Sequence, residues 1–187
     1  MNLILIGPPG AGKGTQAKYL VKKLNNFQVS TGDMLREEIQ KDSEIGKKIL
    51  NDMNDGKFVS DQIVNTLIEN VLLDPKKKGR LIFDGYPRSL TQAENLEQLL
   101  IKTNQTIDFI FFLNVNKETI IERIKQRKII EKRADDDLET IIKRYDTYMD
   151  TTKPVLDFYS KNSNFYELDG SSKIEEITAK IDNFLNV

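Results

Sequence analysis

The first twenty residues contain the pattern that most constrains the fold of this chain. An apolar run, Leu3–Ile6, leads directly into the glycine-rich residues 7–15, and residues 16–20 continue as a helix. A buried strand, a glycine-rich turn and a helix in this order are typical of a phosphate-binding loop. The glycines let backbone N–H groups close around phosphate oxygens, and Lys13 adds a positive charge. The pattern therefore predicts a phosphate site at the end of the first strand.

One position departs from the usual form of this loop. A serine or threonine commonly follows the lysine directly, and its hydroxyl ligates magnesium. Here Gly14 takes that position, and the hydroxyl comes one residue later, at Thr15. This departure argues against a standard GTPase or motor ATPase, and it raises the question of what the second substrate is.

Composition limits the partners that this chain can have. Its 187 residues suffice for one core of ordinary size. Lys and Arg number 28 against 29 Asp and Glu, so no overall basic charge attracts nucleic acid or an anionic membrane. No long apolar segment precedes the glycine-rich loop, and no run has the length of a membrane-spanning helix, so we expect a cytoplasmic protein.

The chain contains neither cysteine nor histidine. That absence excludes disulfides, thiol nucleophiles, a histidine general base and zinc sites built from Cys or His. Chemistry in this chain must therefore rest on charge, positioning and carboxylates, and we expect no bound zinc.

Short apolar runs alternate with amphipathic stretches along the chain. Near-continuous apolar runs suit strands that are buried on both faces of a parallel sheet. The alternation predicts right-handed crossovers and an α/β fold, a doubly wound parallel sheet with helices on both faces. The predicted strands cover residues 3–6, 27–29, 81–83, 109–113 and 165–168. The predicted helices cover residues 13–24, 33–40, 45–54, 61–73, 90–100, 117–128, 138–149, 154–160 and 174–185.

Two segments are predicted to lie outside the sheet. Residues 30–59 contain helical sequence without an intervening strand, and residues 127–133 form a short polar piece. Segments of this kind are natural lids over a ligand. Because no low-complexity linker interrupts the pattern, we expect residues 1–187 to form a single domain.

A second candidate site follows the predicted strand at residues 81–83. Asp84 comes at the end of this strand, and a turn then presents Arg88. In open α/β sheets, ligands bind at the carboxyl ends of the strands. Asp84 is therefore expected beside the glycine-rich loop, where a carboxylate can hold magnesium directly or through water.

A third motif connects these two to a known family. Taken alone, Ser30 or Thr31 could be a helix cap and Arg36 a solvated charge. Taken with the other motifs, they resemble the adenylate kinases, a family of nucleoside monophosphate kinases. The resemblance covers essentially the whole chain and rests on residues 7–16, 30–36, 84–88 and 133–136, with Gln92, Lys143 and Arg144.

The resemblance implies a core sheet that carries the loop, an AMP-binding segment at residues 30–59 and a short lid over ATP at residues 127–133. It implies that Mg²⁺ enters with ATP near Asp84, with no structural metal site. A short lid fits the absence of Cys and His, although residues 128–132 lack the glycine expected in one. The expected partners of this monomer are ATP, AMP and ADP.

Roles for individual residues also follow from the resemblance. Lys13 is expected on the β- and γ-phosphates of ATP, and Arg36 and Arg88 on the phosphate of AMP. The implied ATP-binding residues are Gly10, Ala11, Gly12, Lys13, Gly14, Thr15, Arg123, Arg127 and Ser172. The implied AMP-binding residues are Thr31, Arg36, Lys57, Phe58, Val59, Gly85, Tyr86, Pro87, Arg88, Gln92, Arg133 and Arg144. The implied catalytic residues are Lys13, Asp84, Arg88, Arg123, Arg127, Arg133 and Arg144.

The expected reaction is Mg-ATP plus AMP giving two ADP by direct in-line transfer. Lys13 and several arginines supply the positive charge that phosphoryl transfer needs, and arginine suits phosphates because it offers forked donors. The acceptor is a phosphate oxygen that is already ionised near pH 7. No general base is then required, which is consistent with a chain that has no histidine.

Three other functions share parts of this pattern. A UMP or CMP kinase is the main alternative, and Thr31 with Gln92 favours AMP because an amide can pair with the adenine edge as donor and acceptor. A GTPase switch needs an Asn-Lys-x-Asp motif, and the nearest string, residues 116–119, lacks the aspartate. A catalytically inactive scaffold on the same fold is disfavoured because Lys13, Asp84 and Arg88 are all present.

Overall fold

A computed structural model describes residues 1–41, 44–55, 57–131 and 138–187. Its sheet consists of parallel strands in the order β2-β3-β1-β4-β5. Strand β1, the first in sequence, therefore lies at the centre, and the loop that follows it opens at the carboxyl edge of the sheet. The strands are β1 (Leu3–Ile6), β2 (Phe27–Ser30), β3 (Leu81–Asp84), β4 (Phe109–Asn114) and β5 (Phe165–Asp169).

Helices connect these strands. The helices of the described residues are α1 (Lys13–Leu24), α2 (Thr31–Gln40), α3 (Glu44–Asn54), α4 (Asp61–Leu72), α5 (Leu90–Lys102), α6 (Lys117–Glu131), α7 (Leu138–Thr147), α8 (Lys153–Tyr159) and α9 (Ile174–Leu185). A π turn, Tyr148–Thr152, lies between α7 and α8. Among the described residues, none of the helices is long and apolar enough to cross a membrane.

Both faces of the sheet are covered. Side chains of β1 point alternately to two apolar cores: Ile4 and Ile6 belong to one core, and Leu3 and Leu5 to the other. All four residues are buried. A parallel sheet buried on both faces by flanking helices confirms the predicted doubly wound α/β fold.

Most predicted bounds agree with the structure to within two residues, and two larger differences lie near the site. Helix α6 ends at residue 131 rather than 128, so residues 127–131 of the predicted lid are helical, whereas residues 132 and 133 lie outside the described residues. The second difference is the π turn, which follows α7 directly and leads directly into α8. A π turn adds one residue to a helical turn, a change that apolar periodicity does not signal.

Among the described residues of the segment 30–59, helices α2 and α3 follow each other and no strand lies between them, as predicted. Gly46 allows these helices to pack closely. A Cβ atom at this position would lie 2.7 Å from the backbone oxygen of Glu38 in α2, a distance that no side chain tolerates. Helices α2 and α3 therefore touch backbone to backbone at Gly46.

Candidate active site

The glycine-rich loop turns tightly between β1 and α1. Gly10 and Gly12 have φ angles of 82° and 95°, a region of backbone conformation that favours glycine. Gly12 is the N-cap of α1, so the loop leads directly into the positive end of that helix. A Cβ atom at Gly10 would lie 2.8 Å from the side chain of Ile124, so the loop packs closely on α6. The geometry is that of an anion-binding loop.

Lys13 folds back over this loop. Its Nζ donates hydrogen bonds to the backbone oxygens of Gly7, at 2.7 Å, and Pro8, at 2.9 Å. Although part of the side chain reaches solvent, protein surrounds the ammonium group. Burial lowers the pKa of Lys13 to about 8; Asp84 raises the pKa, and Arg88, Arg144 and Arg127 lower it. These charged groups therefore converge on one region around the loop.

Asp84 lies at the end of β3, next to α1. Its Oδ2 accepts a hydrogen bond of 2.9 Å from Nε2 of Gln28 on the neighbouring strand β2. A Cβ atom at Gly14 would lie 3.4 Å from the same oxygen. Glycine after the lysine thus leaves the carboxylate room beside the loop, and a hydroxyl-bearing residue there would point close to it. Carboxylate oxygens are ligands that Mg²⁺ prefers, so this position fits the metal that the sequence predicts.

Two pockets open beside this loop. The first, which we call the helix pocket, lies against α2 and α3, and the second, the loop pocket, lies against the glycine-rich loop. They share Phe58, Gly85, Arg88 and Arg144. Other residues of the helix pocket are Thr31, Gly32, Leu35, Arg36, Met53, Lys57, Val59, Val64 and Gln92. Other residues of the loop pocket are Leu5, Ile6, Gly7, Pro9, Lys13, Pro87, Tyr148 and Thr152.

Arg88 stands where the two pockets meet and is held on several sides. Its Nε donates to the backbone oxygen of Gly85 at 2.6 Å, and its Nη2 to Oγ1 of Thr31 at 3.5 Å. The guanidinium lies 5.2 Å from the centre of the Phe58 ring, a cation–π distance. Thr152, in the π turn, donates its hydroxyl to the backbone oxygen of Arg88 at 2.9 Å. Such a fixed guanidinium is suited to binding phosphate.

Gln92 is a buried polar residue of the helix pocket. Its side chain is only 2% exposed. Its Oε1 accepts a hydrogen bond of 2.7 Å from the backbone N–H of Arg88, and its Nε2 donates to Oδ1 of Asp61 at 2.6 Å. The amide is thus held between a donor and an acceptor, with hydrogen-bonding capacity left for a ligand.

Helix α6 connects the loop to the turn after β5. Nη1 of Arg123 donates to the backbone oxygen of Gly170 at 2.7 Å, and Nη2 to that of Ser171 at 3.4 Å. In the same turn, the hydroxyl of Ser172 donates to Oδ2 of Asp169 at 3.0 Å. Arg127, one turn after Arg123, carries one of the charges that lower the pKa of Lys13.

The predicted site residues fall into several groups. The two pockets between them include eleven of the predicted residues, namely Lys13, Thr31, Arg36, Lys57, Phe58, Val59, Gly85, Pro87, Arg88, Gln92 and Arg144. Tyr86 lies instead in the core, with its hydroxyl donating to Asn65 at 2.9 Å. Arg36 pairs with Asp33 at the surface, and Lys57 with Asp55. Arg133 lies outside the described residues.

Sequence reasoning missed Gln28, Asp61, Tyr148 and Thr152. The one available signal was Gln28, a polar residue between the apolar Phe27 and Val29 of a predicted strand. Of the two residues that could cap α2, Ser30 is the cap because its side chain accepts from the N–H of Asp33. Thr31 instead donates its hydroxyl to the backbone oxygen of Gly85 at 2.8 Å.

Comparison with known proteins agrees with this geometry. A family model described as adenylate kinase matches residues 5–164. The chain belongs to the adenylate kinase family. It is 50% identical to an adenylate kinase of Pelagibacter ubique (strain HTCC1062), with both chains covered completely. It is 43% identical to an adenylate kinase of Caulobacter sp. (strain K31), over 100% of this chain and 99% of the relative. An adenylate kinase of Mycoplasma mycoides is 40% identical over 96% of this chain and 94% of its own length.

Membership in the adenylate kinase family confirms the resemblance seen in the motifs. The chain is a nucleotide-binding phosphotransferase, a nucleoside monophosphate kinase. The relatives give no support to the alternative of a UMP or CMP kinase.

Proposed function

We propose that this chain transfers a phosphoryl group reversibly between Mg-ATP and AMP, giving two ADP, with ATP over the glycine-rich loop and AMP in the helix pocket. The observation that carries the proposal is the meeting of the two pockets at Arg88 and Arg144, with Lys13 in the loop pocket. Two anionic nucleotides placed end to end would bring their phosphates together at these cations.

On the ATP side, the N-terminal N–H groups of α1 and Lys13 bind the phosphates. Arg123 and Arg127 approach from α6, and residues 170–172 form the turn beside the adenine. The contact of Gly10 with Ile124 supports this arrangement because it ties the loop to the helix that carries both arginines. The proposal also includes the short lid over ATP at residues 127–133 and the catalytic role expected for Arg133.

On the AMP side, Arg36 and Arg88 bind the phosphate, and Thr31 and Gln92 contact the base. The apolar walls of the helix pocket, which include Leu35, Met53 and Val59, suit a flat nucleobase. The proposed orientation directs the phosphate of AMP toward Arg88 and Arg144, where the second pocket begins.

The chemistry follows from charge and position. The acceptor oxygen of AMP is already ionised, so no side chain needs to remove a proton. Lys13, Arg88 and Arg144 compensate the charge on the transferred group, and the buried setting of Lys13 strengthens its interaction with phosphate. Mg²⁺ bound with ATP near Asp84 would neutralise phosphate charge. We expect no resident metal beyond that ion.

We also propose that the enzyme works as a monomer in the cytoplasm, with neither nucleic acid nor membrane as a partner. The near balance of 28 basic and 29 acidic residues supports the absence of a nucleic-acid or anionic-membrane partner.

A coupled assay of ATP with AMP, CMP, UMP and GMP in turn tests the proposal. AMP should give the highest kcat/KM. Lys13→Ala should lower turnover by about a hundredfold or more, because it removes a charge from the transferring group. Lys18→Ala, on the exposed face of the same helix, is the matched control and should keep normal turnover.

A preference for another monophosphate would refute the substrate assignment. A folded Lys13→Ala protein with turnover close to that of Lys18→Ala would refute the assigned role of the loop.

A further inference from the structure

The side-chain amide of Gln92 has one orientation that its neighbours permit. The backbone N–H of Arg88 is a donor, so it must face Oε1; the carboxylate of Asp61 accepts only, so it must face Nε2. We propose that Asp61 is a positioning residue that selects the nucleobase by fixing this amide. The proposal deepens the AMP assignment above and rests on it.

Asp61 is well placed for such a role. It is the first residue of α4, and it lies outside the residues that line the helix pocket, so it acts on a ligand through Gln92. Its Oδ2 accepts a hydrogen bond of 3.1 Å from Ser89, and the same Ser89 oxygen accepts the backbone N–H of Gln92 at 3.1 Å. Asp61, Ser89 and Gln92 thus form a closed ring of hydrogen bonds.

The fixed amide has a defined capacity for a ligand. Gln92 uses one of its two Nε2 hydrogens on Asp61 and one Oε1 lone pair on Arg88, which leaves one donor and one acceptor. Because the amide cannot rotate without facing Asp61 with its oxygen, the order of this donor and acceptor is set before a base arrives.

Adenine and hypoxanthine present opposite patterns to such an amide. Adenine offers an acceptor at N1 and a donor at the 6-amino group, whereas hypoxanthine offers a donor at N1 and an acceptor at O6. AMP and IMP otherwise have the same purine ring, ribose and phosphate. The ratio of their kcat/KM values therefore measures the orientation of the amide rather than the size of the pocket.

The experiment measures kcat/KM for AMP and IMP in the wild type and in Asp61→Leu, which lacks the acceptor. The AMP/IMP ratio should fall about tenfold, through a higher KM for AMP, with the KM for ATP unchanged. Asp61→Asn, whose oxygen can still accept from Nε2, should keep most of the wild-type ratio. Asp61→Ala gives the same test if Asp61→Leu fails to fold.

Ile68→Val is the matched control for stability. It shortens a fully buried side chain of the same helix, away from both pockets, and should keep the ratio. An unchanged ratio in Asp61→Leu, an equal loss for AMP and IMP, or a loss as large in Asp61→Asn would overturn the proposal. A wild type without preference for AMP over IMP would instead overturn the AMP assignment on which it rests.

Discussion

The ammonium group of Lys13 is expected to lose its proton near pH 8 in the free enzyme. Burial is the main reason that its pKa is lowered from 10.5 to about 8; Arg88 and Arg144 act in the same direction, and Asp84 opposes them. A neutral amine offers no charge to the phosphates of ATP. As the pH rises above that value, kcat/KM for ATP should therefore fall about tenfold for each pH unit.

Bound ATP is expected to shift the pKa of Lys13 in the opposite direction. Phosphate oxygens beside the amine favour its charged form and raise the pKa of Lys13, so kcat should change little over the same range. A coupled assay between about pH 7 and about pH 10, with ATP and AMP both varied, separates the two quantities, since kcat/KM for ATP at low AMP reports on the free enzyme and kcat on the complex. Two buried tyrosines should not interfere, because burial raises the pKa of Tyr86 to about 12 and also raises the pKa of Tyr148.

Two variants control the experiment. Lys13→Arg should be less active but should show no decline above pH 8, because a guanidinium stays protonated. Lys18→Ala should keep the wild-type profile. A wild-type kcat/KM for ATP that stays constant to about pH 10, while circular dichroism shows a folded protein, would contradict this prediction. Burial would then not lower the pKa of Lys13.

Three further predictions concern binding and packing. Arg88→Lys should lower kcat/KM for AMP, CMP, UMP and GMP to a similar extent, because a point charge replaces a fork that every monophosphate meets; a selective loss for AMP would contradict this. A dinucleotide that joins two adenosines through five phosphates should raise the melting temperature more than ATP or AMP at equal concentration, since it fills both pockets at once; equal shifts would exclude a second nucleotide site. Thr152→Val should lower the free energy of unfolding by about 1 kcal/mol in urea titrations, because it removes the hydrogen bond from the Thr152 hydroxyl to the backbone oxygen of Arg88; an unchanged value would show that this bond does not stabilise the fold.

Sequence reasoning worked where the signal was local. Strand β1, the glycine-rich loop and α1 are contiguous in the chain, and each follows from apolar pattern or glycine chemistry within a few residues. The position of Asp84 also followed, because residues at the carboxyl ends of parallel strands must share one edge of the sheet.

Contacts between residues that are far apart in the chain could not be predicted from local patterns. Asp61 and Gln92 are separated by 31 residues and meet only because α4 packs against α5. The family resemblance placed Gln92 in the AMP site, but neither a motif nor a period indicated what holds its amide. Thr152 reaches Arg88 across 64 residues through a π turn, whose extra residue no apolar period predicts.

The contact at Gly46 couples the movements of α2 and α3. Because α2 and α3 touch backbone to backbone there, neither helix can shift far without carrying the other. A fluorescent label on the exposed side of α3, pointing away from the helix pocket, should therefore report displacements of α2, the helix that carries Arg36. The label would thus follow the helix that carries Arg36 without any substitution on that helix.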